Sequence, residues 1–290
     1  MDLCNIRDIR TLLSRHGFSF SKRLGQNFLT AAWVPARIIE AAALDAQTGV
    51  LEIGPGIGTL TVSLSETAGK VVSVELDRTL APILTETLTS CPNTQVIFDD
   101  IMKTDINTLV AQHFAGLRPV VVANLPYQIT TPILGKLLES ELFAEITVMV
   151  QKEVAARICA PAGRSDYGAF SVFVAYYAKA EQVFDLPPDC FIPQPKVDSS
   201  VIRLCKWDTP PVSADRDALF TIVKAAFAQR RKTLVNCLAA ALPHVSKPEL
   251  TDVLHTLGHD PRVRGETLDL QAFAQLTDVL LAMNMFAKQK

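Results

Sequence analysis

The segment VLEIGPGIG (residues 50–58) decides how this 290-residue chain is interpreted. A short apolar run rich in Val and Ile leads into Gly54, Gly56 and Gly58, and a helical pattern follows. Glycines let a ligand approach the backbone, and the N-terminus of a helix favours negative charge. The dinucleotide fingerprint is G-x-G-x-x-G, whereas the third glycine here comes one residue early. The segment therefore predicts a nucleotide-binding turn, with less indication of a pyrophosphate cradle.

Strands and helices alternate around this turn. The apolar runs are continuous rather than alternating, which is typical of strands covered on both faces. Repetition of strand and helix predicts an α/β fold, with a parallel sheet and helices on both sides. The predicted strands are 50–55, 71–76, 94–98, 120–124 and 146–151, and the predicted helices are 32–44, 58–67, 79–89, 132–140 and 152–160.

The pattern changes after residue 160. Residues 171–178 are predicted to be helical, and residues 179–186 and 199–204 to be strands. The Pro-rich segment LPPDCFIPQPKVD (186–198) joins these strands. Proline disrupts regular ladder and helix hydrogen bonding, so the segment is predicted to be a shaped loop. Two strands joined in this way can form an antiparallel edge on an otherwise parallel sheet.

The chain from about residue 215 onward is predicted to be helical. Ser246 and Glu249 have the spacing of a capping box, and Gly258 stands where a helix would end. We place the domain boundary where the pattern changes, which gives a sheet domain over residues 1–206 and a helical domain over residues 207–290.

Composition and charge exclude several classes of protein. Hydrophobic residues make up 49% and charged residues 20%, which excludes a disordered chain. The net charge is −2, so a polyanion site must be a local patch, and residues 191–290 are richer in basic residues, with 13 basic against 10 acidic. The six cysteines show no C-x-x-C pair and no zinc-ligand spacing. We expect a soluble cytoplasmic protein with reduced cysteines, no metal and no membrane span.

Acidic residues end the next two predicted strands. Glu75 lies 21 residues after Gly54, where an acid can accept hydrogen bonds from both hydroxyls of a ribose. Asp99 and Asp100 end the third strand, where a carboxylate can accept from an adenine amino group. Asp100 is preferred, but the choice between the two stays open, since a helix cap is another role for either. Together these strand ends predict an adenosine-bearing ligand and favour S-adenosylmethionine over NAD.

The fourth strand ends in Asn124, Leu125, Pro126 and Tyr127, a set that fits methylation of an exocyclic amine. The amino nitrogen of adenine is a poor nucleophile because its lone pair is delocalised into the ring. The side-chain oxygen of Asn124 and the carbonyl of Leu125 can accept its two hydrogens, and Tyr127 can stack on the base. As structure alone, Asn124 would cap the turn and Tyr127 would fill the core.

Segments spread over most of the chain resemble the small-subunit ribosomal RNA adenine N6,N6-dimethyltransferases. N-L-P-Y alone also occurs in DNA and protein amino-methyltransferases, so the combination is what carries the resemblance. The segments are KRLGQNFL (22–29), LEIGPGIGTLT (51–61), VELD (74–77), NLPY (124–127), MVQKEVAARI (149–158), CFIPQPKVDSSVIRL (190–204) and AFAQRRKTLVNCL (226–238). One departure from the family is at the third strand end, where Gly-Asp-Ala-Leu is common and this chain has DDIM (99–102).

The resemblance implies a class I, Rossmann-like methyltransferase sheet with a small C-terminal helical domain. It implies methyl transfer from S-adenosylmethionine, giving S-adenosylhomocysteine, to N6 of two adjacent adenosines in the 3′-terminal hairpin loop of small-subunit ribosomal RNA, during maturation of that subunit. In it, Tyr127 and Phe191 sandwich the base beside Asn124, Leu125 and Pro126. The implied cofactor residues are Gln26, Asn27, Leu29, Gly54, Gly56, Glu75, Leu76, Asp100, Ile101 and Asn124.

Basic residues suggest where RNA binds. The densest cluster interrupts an apolar stripe, which a helix break near Ala228 and Gln229 or an RNA-backbone patch would each explain. Because the net charge is −2, a preassembled ribosomal particle is expected to be a better substrate than free RNA, and the protein is expected to be a monomer. The predicted RNA-binding residues are Lys22, Arg23, Lys196, Arg230, Arg231 and Lys232.

Other functions fit parts of the same pattern. A large-subunit RNA adenine methylase of the antibiotic-resistance type shares the N-L-P-Y corner, but the segment QRRKTL (229–234) and the helical tail favour the small subunit. DNA methylation is disfavoured, because no separate sequence-reading module is found. An assembly factor that acts by binding, and not by methylation, can coexist with the enzyme.

Overall fold

The computed structural model describes residues 1–285, without the side chain of Lys22. This part of the chain forms two compact units. The first consists of Met1–Ala155 together with Ala180–Lys206, and the second of Ala156–Lys179 together with the chain from Trp207 onward. The sequence-based boundary differs for residues 156–179, which were assigned to the sheet domain. They belong to the second unit because their apolar side chains pack in its helical core.

The strands build a mixed sheet in the first unit. They are β1 (Phe28–Leu29), β2 (Thr48–Ile53), β3 (Lys70–Glu75), β4 (Thr94–Phe98), β5 (Arg118–Asn124), β6 (Glu145–Gln151), β7 (Ala178–Leu186), β8 (Phe191–Ile192) and β9 (Ser199–Lys206). Within residues 1–285, a seven-stranded sheet has the order β4-β3-β2-β5-β6-β9-β7. Strands β2 to β6 pair in parallel, and β9 pairs antiparallel with β6. The predicted α/β fold with an antiparallel edge is confirmed.

Burial on both faces explains why the central strands are so apolar. Every residue of β2 is buried, and Val50 pairs with Val71 of β3 and Val120 of β5. A parallel sheet covered on both faces needs such continuous runs. Because neighbouring parallel strands end on the same side, the glycine turn after β2 and the polar ends of β3, β4 and β5 lie along one edge of the sheet.

Helices cover the sheet and form the second unit. Those predicted from the sequence are present with their ends shifted by a few residues, and α1 and α5 were not predicted. The helices are α1 (Ile6–Arg15), α2 (Trp33–Ala41), α3 (Thr59–Thr67), α4 (Ala81–Thr87), α5 (Ile106–His113), α6 (Thr130–Glu139), α7 (Lys152–Cys159), α8 (Ala169–Tyr177), α9 (Arg216–Phe227), α10 (Leu234–Ala241), α11 (Lys247–Thr256) and α12 (Leu270–Ala282).

Helix α1 anchors the N-terminal segment to the first unit. The side chain of Asn5 caps the helix by accepting from the backbone N–H groups of Arg7 and Asp8. The buried face of α1 packs in an apolar cluster with Phe28. Phe28 begins the short strand β1, which pairs antiparallel with β8. This packing holds the segment from Arg23 to Leu29 beside the carboxyl edge of the sheet.

The second unit is a helical cluster with its own core. The apolar sides of α8 to α12 pack around the fully buried Phe273. The predicted capping box is confirmed, because Ser246 and Glu249 each accept a hydrogen bond from the other's backbone N–H. A helix break, one of the two explanations for the interrupted apolar stripe, is present, since α9 ends at Phe227 and α10 begins at Leu234.

The described residues contain neither a candidate membrane span nor a candidate metal site. In residues 1–285, no helix combines the length and apolarity needed to cross a membrane. The same part of the chain contains no group of three or more His, Cys, Asp or Glu placed to hold a metal ion.

Candidate active site

A cavity of about 230 Å³ opens at the carboxyl edge of the sheet, entirely within the first unit. Its walls come from the segment before β1, the glycine turn after β2, and the ends of β3, β4 and β5. All of the predicted cofactor residues line it, together with four of the five predicted catalytic residues: Gln26, Asn27, Leu29, Gly54, Gly56, Glu75, Leu76, Asp100, Ile101, Asn124, Leu125, Pro126 and Tyr127.

The glycine turn brings bare backbone to the cavity wall. Gly54 and Gly56 have φ values of 68° and 59°, a region that residues with a Cβ rarely adopt. A Cβ on Gly56 would also lie 2.9 Å from the ring of Phe28. The turn therefore requires glycine at position 56 both for its backbone angle and for space.

The carboxyl group of Glu75 is buried beside this turn, with 6% of the residue exposed. One oxygen accepts from the Asp77 backbone N–H at 2.7 Å, and the other accepts from the Gly56 N–H at 3.4 Å. Burial raises the pKa of Glu75 to about 7, because the charged form loses its solvation, while these two hydrogen bonds act in the opposite direction. A ligand that donates hydrogen bonds to this carboxylate would favour its charged form.

The structure also distinguishes Asp99 from Asp100. Asp99 is exposed, and its two oxygens accept from the Asp100 N–H and the Thr104 hydroxyl. Asp100 is half-buried, and one of its oxygens accepts from the Met102 N–H at 3.0 Å. Both residues line the cavity, but Asp99 accepts a local hydrogen bond at each oxygen, whereas Asp100 accepts one at a single oxygen and its other oxygen lies 3.9 Å from the exposed Lys103 ammonium.

Glu52 also lines the cavity, although no role was predicted for it from the sequence. Only 1% of it is exposed, and one of its oxygens accepts from the hydroxyls of Thr61 and Ser73, both at 2.7 Å. Burial raises its pKa to about 7, and the nearby Glu75 acts in the same direction. The sequence does carry a signal for this residue. Glu52 is a carboxylate inside a strand that is predicted to be covered on both faces, where a charged side chain is unexpected.

The segment before β1 is tied to the sheet edge by side-chain amides. Gln26 accepts from the Ser21 N–H at 2.8 Å and donates to a carboxylate oxygen of Asp77 at 2.6 Å. Asn27 donates to the carbonyl of Gly25 at 2.9 Å, which stabilises the local turn. Asp77 therefore links Gln26 to Glu75, because its own N–H binds the Glu75 carboxylate.

Asn124 is held in one orientation at the end of β5. Its side-chain nitrogen donates to the Asn27 carbonyl at 3.2 Å, so its side-chain oxygen is the atom available as an acceptor. The next residue, Leu125, is fixed by a hydrogen bond from its N–H to the Met149 carbonyl at 3.1 Å. Pro126 then directs the chain into the turn that carries Tyr127.

Tyr127 lines the cavity, and its hydroxyl is anchored to strand β9, which lies two strands away from β5 in the sheet. The phenol oxygen lies 2.6 Å from the hydroxyl of Ser199, a fully buried residue. Burial raises the pKa of Tyr127, and the hydrogen bond to Ser199 partly offsets this. This pairing is not predictable from the sequence, since the two residues are far apart along the chain.

Phe191 does not line the cavity. It is 2% exposed, and it packs in the apolar cluster that contains Val34, Ile38 and Leu186. As part of β8 it pairs with Leu29 of β1. The predicted role of Phe191 as a second stacking ring is therefore not supported by its position in the core.

The predicted RNA-binding residues differ in their surroundings. Arg23 lines the cavity, and Lys196 is exposed in the Pro-rich loop. Arg230 donates to the carbonyls of Ser165 and Tyr167, which gives it a structural role within the second unit. Arg231 and Lys232 are exposed, like Lys196, and the Lys22 side chain lies outside the described residues.

The carboxyl edge of this sheet carries a glycine turn, buried acids and an amide at the ends of its strands. This combination defines a Rossmann-like methyltransferase. Two solved structures support that class. A dimethyladenosine transferase from Plasmodium falciparum is 28% identical, with a TM-score of 0.74, over 88% of this chain and 97% of that one. The 23S rRNA methyltransferase ErmE is 27% identical, with a TM-score of 0.67, over 87% and 98% of the two chains.

A model of the family described as ribosomal RNA adenine dimethylase matches residues 17–269, and the chain belongs to that family. A protein named Ribosomal RNA small subunit methyltransferase A from Geobacillus thermodenitrificans is 47% identical over 94% of this chain and 95% of its own length. A protein of the same name from Anoxybacillus flavithermus is 45% identical over 96% of each chain. Membership in this family implies an enzyme that uses S-adenosylmethionine as its methyl donor.

Proposed function

We propose that this enzyme transfers methyl groups from S-adenosylmethionine to N6 of two adjacent adenosines in the 3′-terminal hairpin loop of small-subunit ribosomal RNA, as part of the maturation of that subunit. One observation carries the chemistry: a single cavity joins the glycine turn and Glu75 to the corner formed by Asn124 and Tyr127. The names of the relatives support the small subunit as the substrate. The motif resemblance supports the hairpin loop and the two adjacent adenosines.

The residues of the cavity fit the adenosine part of the methyl donor. The buried carboxylate of Glu75 is an acceptor for ribose hydroxyls, and the bare backbone at Gly54 and Gly56 allows a ligand to approach closely. Asp100 is the preferred acceptor for the adenine amino group, because it is half-buried and accepts fewer local hydrogen bonds than the exposed Asp99. Leu76 and Ile101 supply apolar walls, and Gln26, Asn27 and Leu29 close the other side.

The donor supplies a methyl group on a sulfonium: the N6 lone pair bonds to the methyl carbon, the carbon–sulfur bond breaks with its electrons kept by sulfur, and one N6 proton passes to solvent. Asn124 and Leu125 prepare the nitrogen. When the Asn124 side-chain oxygen and the Leu125 carbonyl accept the two N6 hydrogens, the lone pair is drawn out of conjugation with the ring. Their fixed orientations mean that little reorganisation is needed during the reaction.

Tyr127 provides the stacking surface for the target base. A base must leave its helical stack before its amino group can enter such a cavity, and loop adenines do so at low cost. Stacking on an aromatic side chain contributes roughly 1–3 kcal/mol per base. Since Phe191 is in the core, Tyr127 is the ring assigned to this role.

The part of the RNA that stays outside the cavity is expected to contact basic side chains through its phosphates. Arg23 at the cavity wall and the exposed Lys196, Arg231 and Lys232 are the candidates for phosphate contacts. With a net charge of −2, the chain has no long-range attraction for RNA, which favours an immature ribosomal particle of defined shape as the substrate. We expect the enzyme to act as a monomer.

The test is labelled-methyl transfer to small ribosomal subunits that lack this modification, followed by nucleoside analysis and mapping. Wild-type enzyme is expected to produce N6,N6-dimethyladenosine at two adjacent positions. Asn124→Ala should lower the rate at least about 100-fold, the effect of losing one preorganised hydrogen bond to a transition state. Asn107→Ala, which removes an exposed amide on α5, is the matched control and should keep full activity. A normal rate in Asn124→Ala would refute the catalytic assignment.

A large-subunit substrate is the second candidate, because ErmE, a 23S rRNA methyltransferase, shares the fold over 87% of this chain. The same mapping experiment decides between the two. Modified adenosine recovered only from large-subunit RNA, when both subunits are offered in undermethylated form, would replace the small-subunit proposal.

A further inference from the structure

Ser199 lies outside the cavity wall, and a role for it in the reaction rests on the proposed function. We propose that Ser199 is a positioning residue that sets the place of the Tyr127 ring, and that this placement matters most for the second of the two methyl transfers.

The hydrogen bond between the two residues fixes the ring along its long axis. The phenol oxygen of Tyr127 lies on the line through the ring and its Cβ, so holding that oxygen fixes χ1 and hence the location of the ring. The oxygen is held 2.6 Å from the Ser199 hydroxyl. Rotation about the axis is left to the packing on the two faces of the ring.

Ser199 is itself rigidly placed. It is fully buried at the start of β9, where it pairs with Gln151 of β6. The preceding residue, Asp198, accepts a hydrogen bond at its carbonyl from the Lys152 N–H at 3.0 Å, and the Lys152 ammonium lies 3.8 Å from its carboxylate. The anchor of Tyr127 is therefore part of the sheet and does not move with the Pro-rich loop.

The two methyl transfers depend on this ring to different extents. Before the first transfer, N6 carries two hydrogens, and both Asn124 and Leu125 can accept one. After it, N6 carries a single hydrogen, so one of those hydrogen bonds is lost and the orientation of the base depends more on stacking against Tyr127. In the second transfer the N6 lone pair forms the new bond to carbon, sulfur keeps the electrons of the broken bond, and the last N6 proton passes to water.

Two variants separate this role from general stability. Ser199→Ala removes the anchor, and Tyr127→Phe keeps the ring but removes its hydroxyl. Ser200→Ala is the matched control, because Ser200 is also a fully buried serine of β9, but its hydroxyl binds Asp185 and Gln182. The double variant Ser199→Ala/Tyr127→Phe completes a mutant cycle for the pair.

The experiment measures both transfer rates by following mono- and dimethyladenosine on small subunits under saturating donor, with thermal melting to show that each variant is folded. Ser199→Ala and Tyr127→Phe should each slow the second transfer about fivefold relative to the first, the effect of one hydrogen bond. The double variant should be no slower than either single variant, and Ser200→Ala should match wild type.

An unchanged ratio of the two rates in folded Ser199→Ala, or an equal shift in Ser200→Ala, would overturn the inference. Failure of the proposed function gives a different result, because wild-type enzyme would then form no dimethyladenosine on small subunits. If wild type forms it and the ratio does not respond to Ser199→Ala, only the role of Ser199 is refuted.

Discussion

The buried carboxyl group of Glu75 predicts that the affinity for the methyl donor depends on pH near neutrality. In the free protein its pKa is about 7, raised by burial. Ribose hydroxyls donate hydrogen bonds, which the ionised carboxylate accepts better than the protonated acid does. Binding therefore favours the ionised form and lowers the pKa in the complex, so the affinity is full above the free pKa and falls as the pH drops through it.

The size of the effect follows from that pKa. Each pH unit below about 7 reduces the ionised fraction about tenfold, equivalent to about 1.4 kcal/mol. Between about pH 8 and about pH 6 the dissociation constant should rise roughly tenfold, provided that the pKa in the complex lies below 6. Titration calorimetry with S-adenosylhomocysteine, which avoids turnover, measures this directly.

Glu75→Gln is the variant that assigns the dependence to this residue. Glu52 also has a pKa of about 7 in the same cavity wall, while Asp77 lies next to Glu75 in the hydrogen-bond network. Glu75→Gln should bind about tenfold or more weakly at about pH 8, as expected for the loss of a charge-assisted hydrogen bond, and should show little pH dependence. Glu66→Gln, on the exposed side of α3, is the control. A flat wild-type profile, or an unchanged slope in Glu75→Gln, would refute the reasoning.

Other substitutions test the turn and the basic cluster. Gly56→Ala should destabilise the protein by about 1–3 kcal/mol and weaken donor binding, because position 56 has a φ of 59° and its Cβ would meet Phe28. Gly163→Ala has a similar φ of 84° but open space around its Cβ, so urea unfolding of the two variants separates backbone strain from collision. Arg230→Ala should lower the melting temperature, because Arg230 binds two backbone carbonyls. Arg231→Ala should leave the melting temperature unchanged and should reduce the salt dependence of particle binding by about one phosphate contact. An unchanged salt slope in that variant would reassign Arg231 to a structural role.

The sheet and the strand-end residues were predictable because their signals are local. Continuous apolar runs identified β2 to β6. Because parallel strands bring their carboxyl ends to one edge of a sheet, Gly54, Glu75 and Asn124 could be placed together from the sequence alone. Strands β1 and β8 have only two residues each, too few for a periodic pattern. Helix α1 carries several charged residues on its exposed side, and these obscured the buried stripe.

The pairings within the site were not predictable, since they join residues far apart in the chain. Nothing near Tyr127 in the sequence points to Ser199, and nothing near Gln26 points to Asp77. The position of Phe191 shows the same limit. An aromatic residue in a rigid loop can face either a cleft or the core, and its pairing with β1 is what directs it to the core here.

The first unit is discontinuous along the chain. The chain leaves it after Ala155, contributes residues 156–179 to the second unit, and returns to the first unit at Ala180. A truncation after Lys206 would therefore keep helix α8 while deleting the helices that cover its apolar side, including the surroundings of Val172 and Tyr176. Such a fragment would expose the apolar side of α8 to solvent and is expected to aggregate. A minimal version of the first unit therefore requires the removal of residues 156–179 as well as of the C-terminal helices.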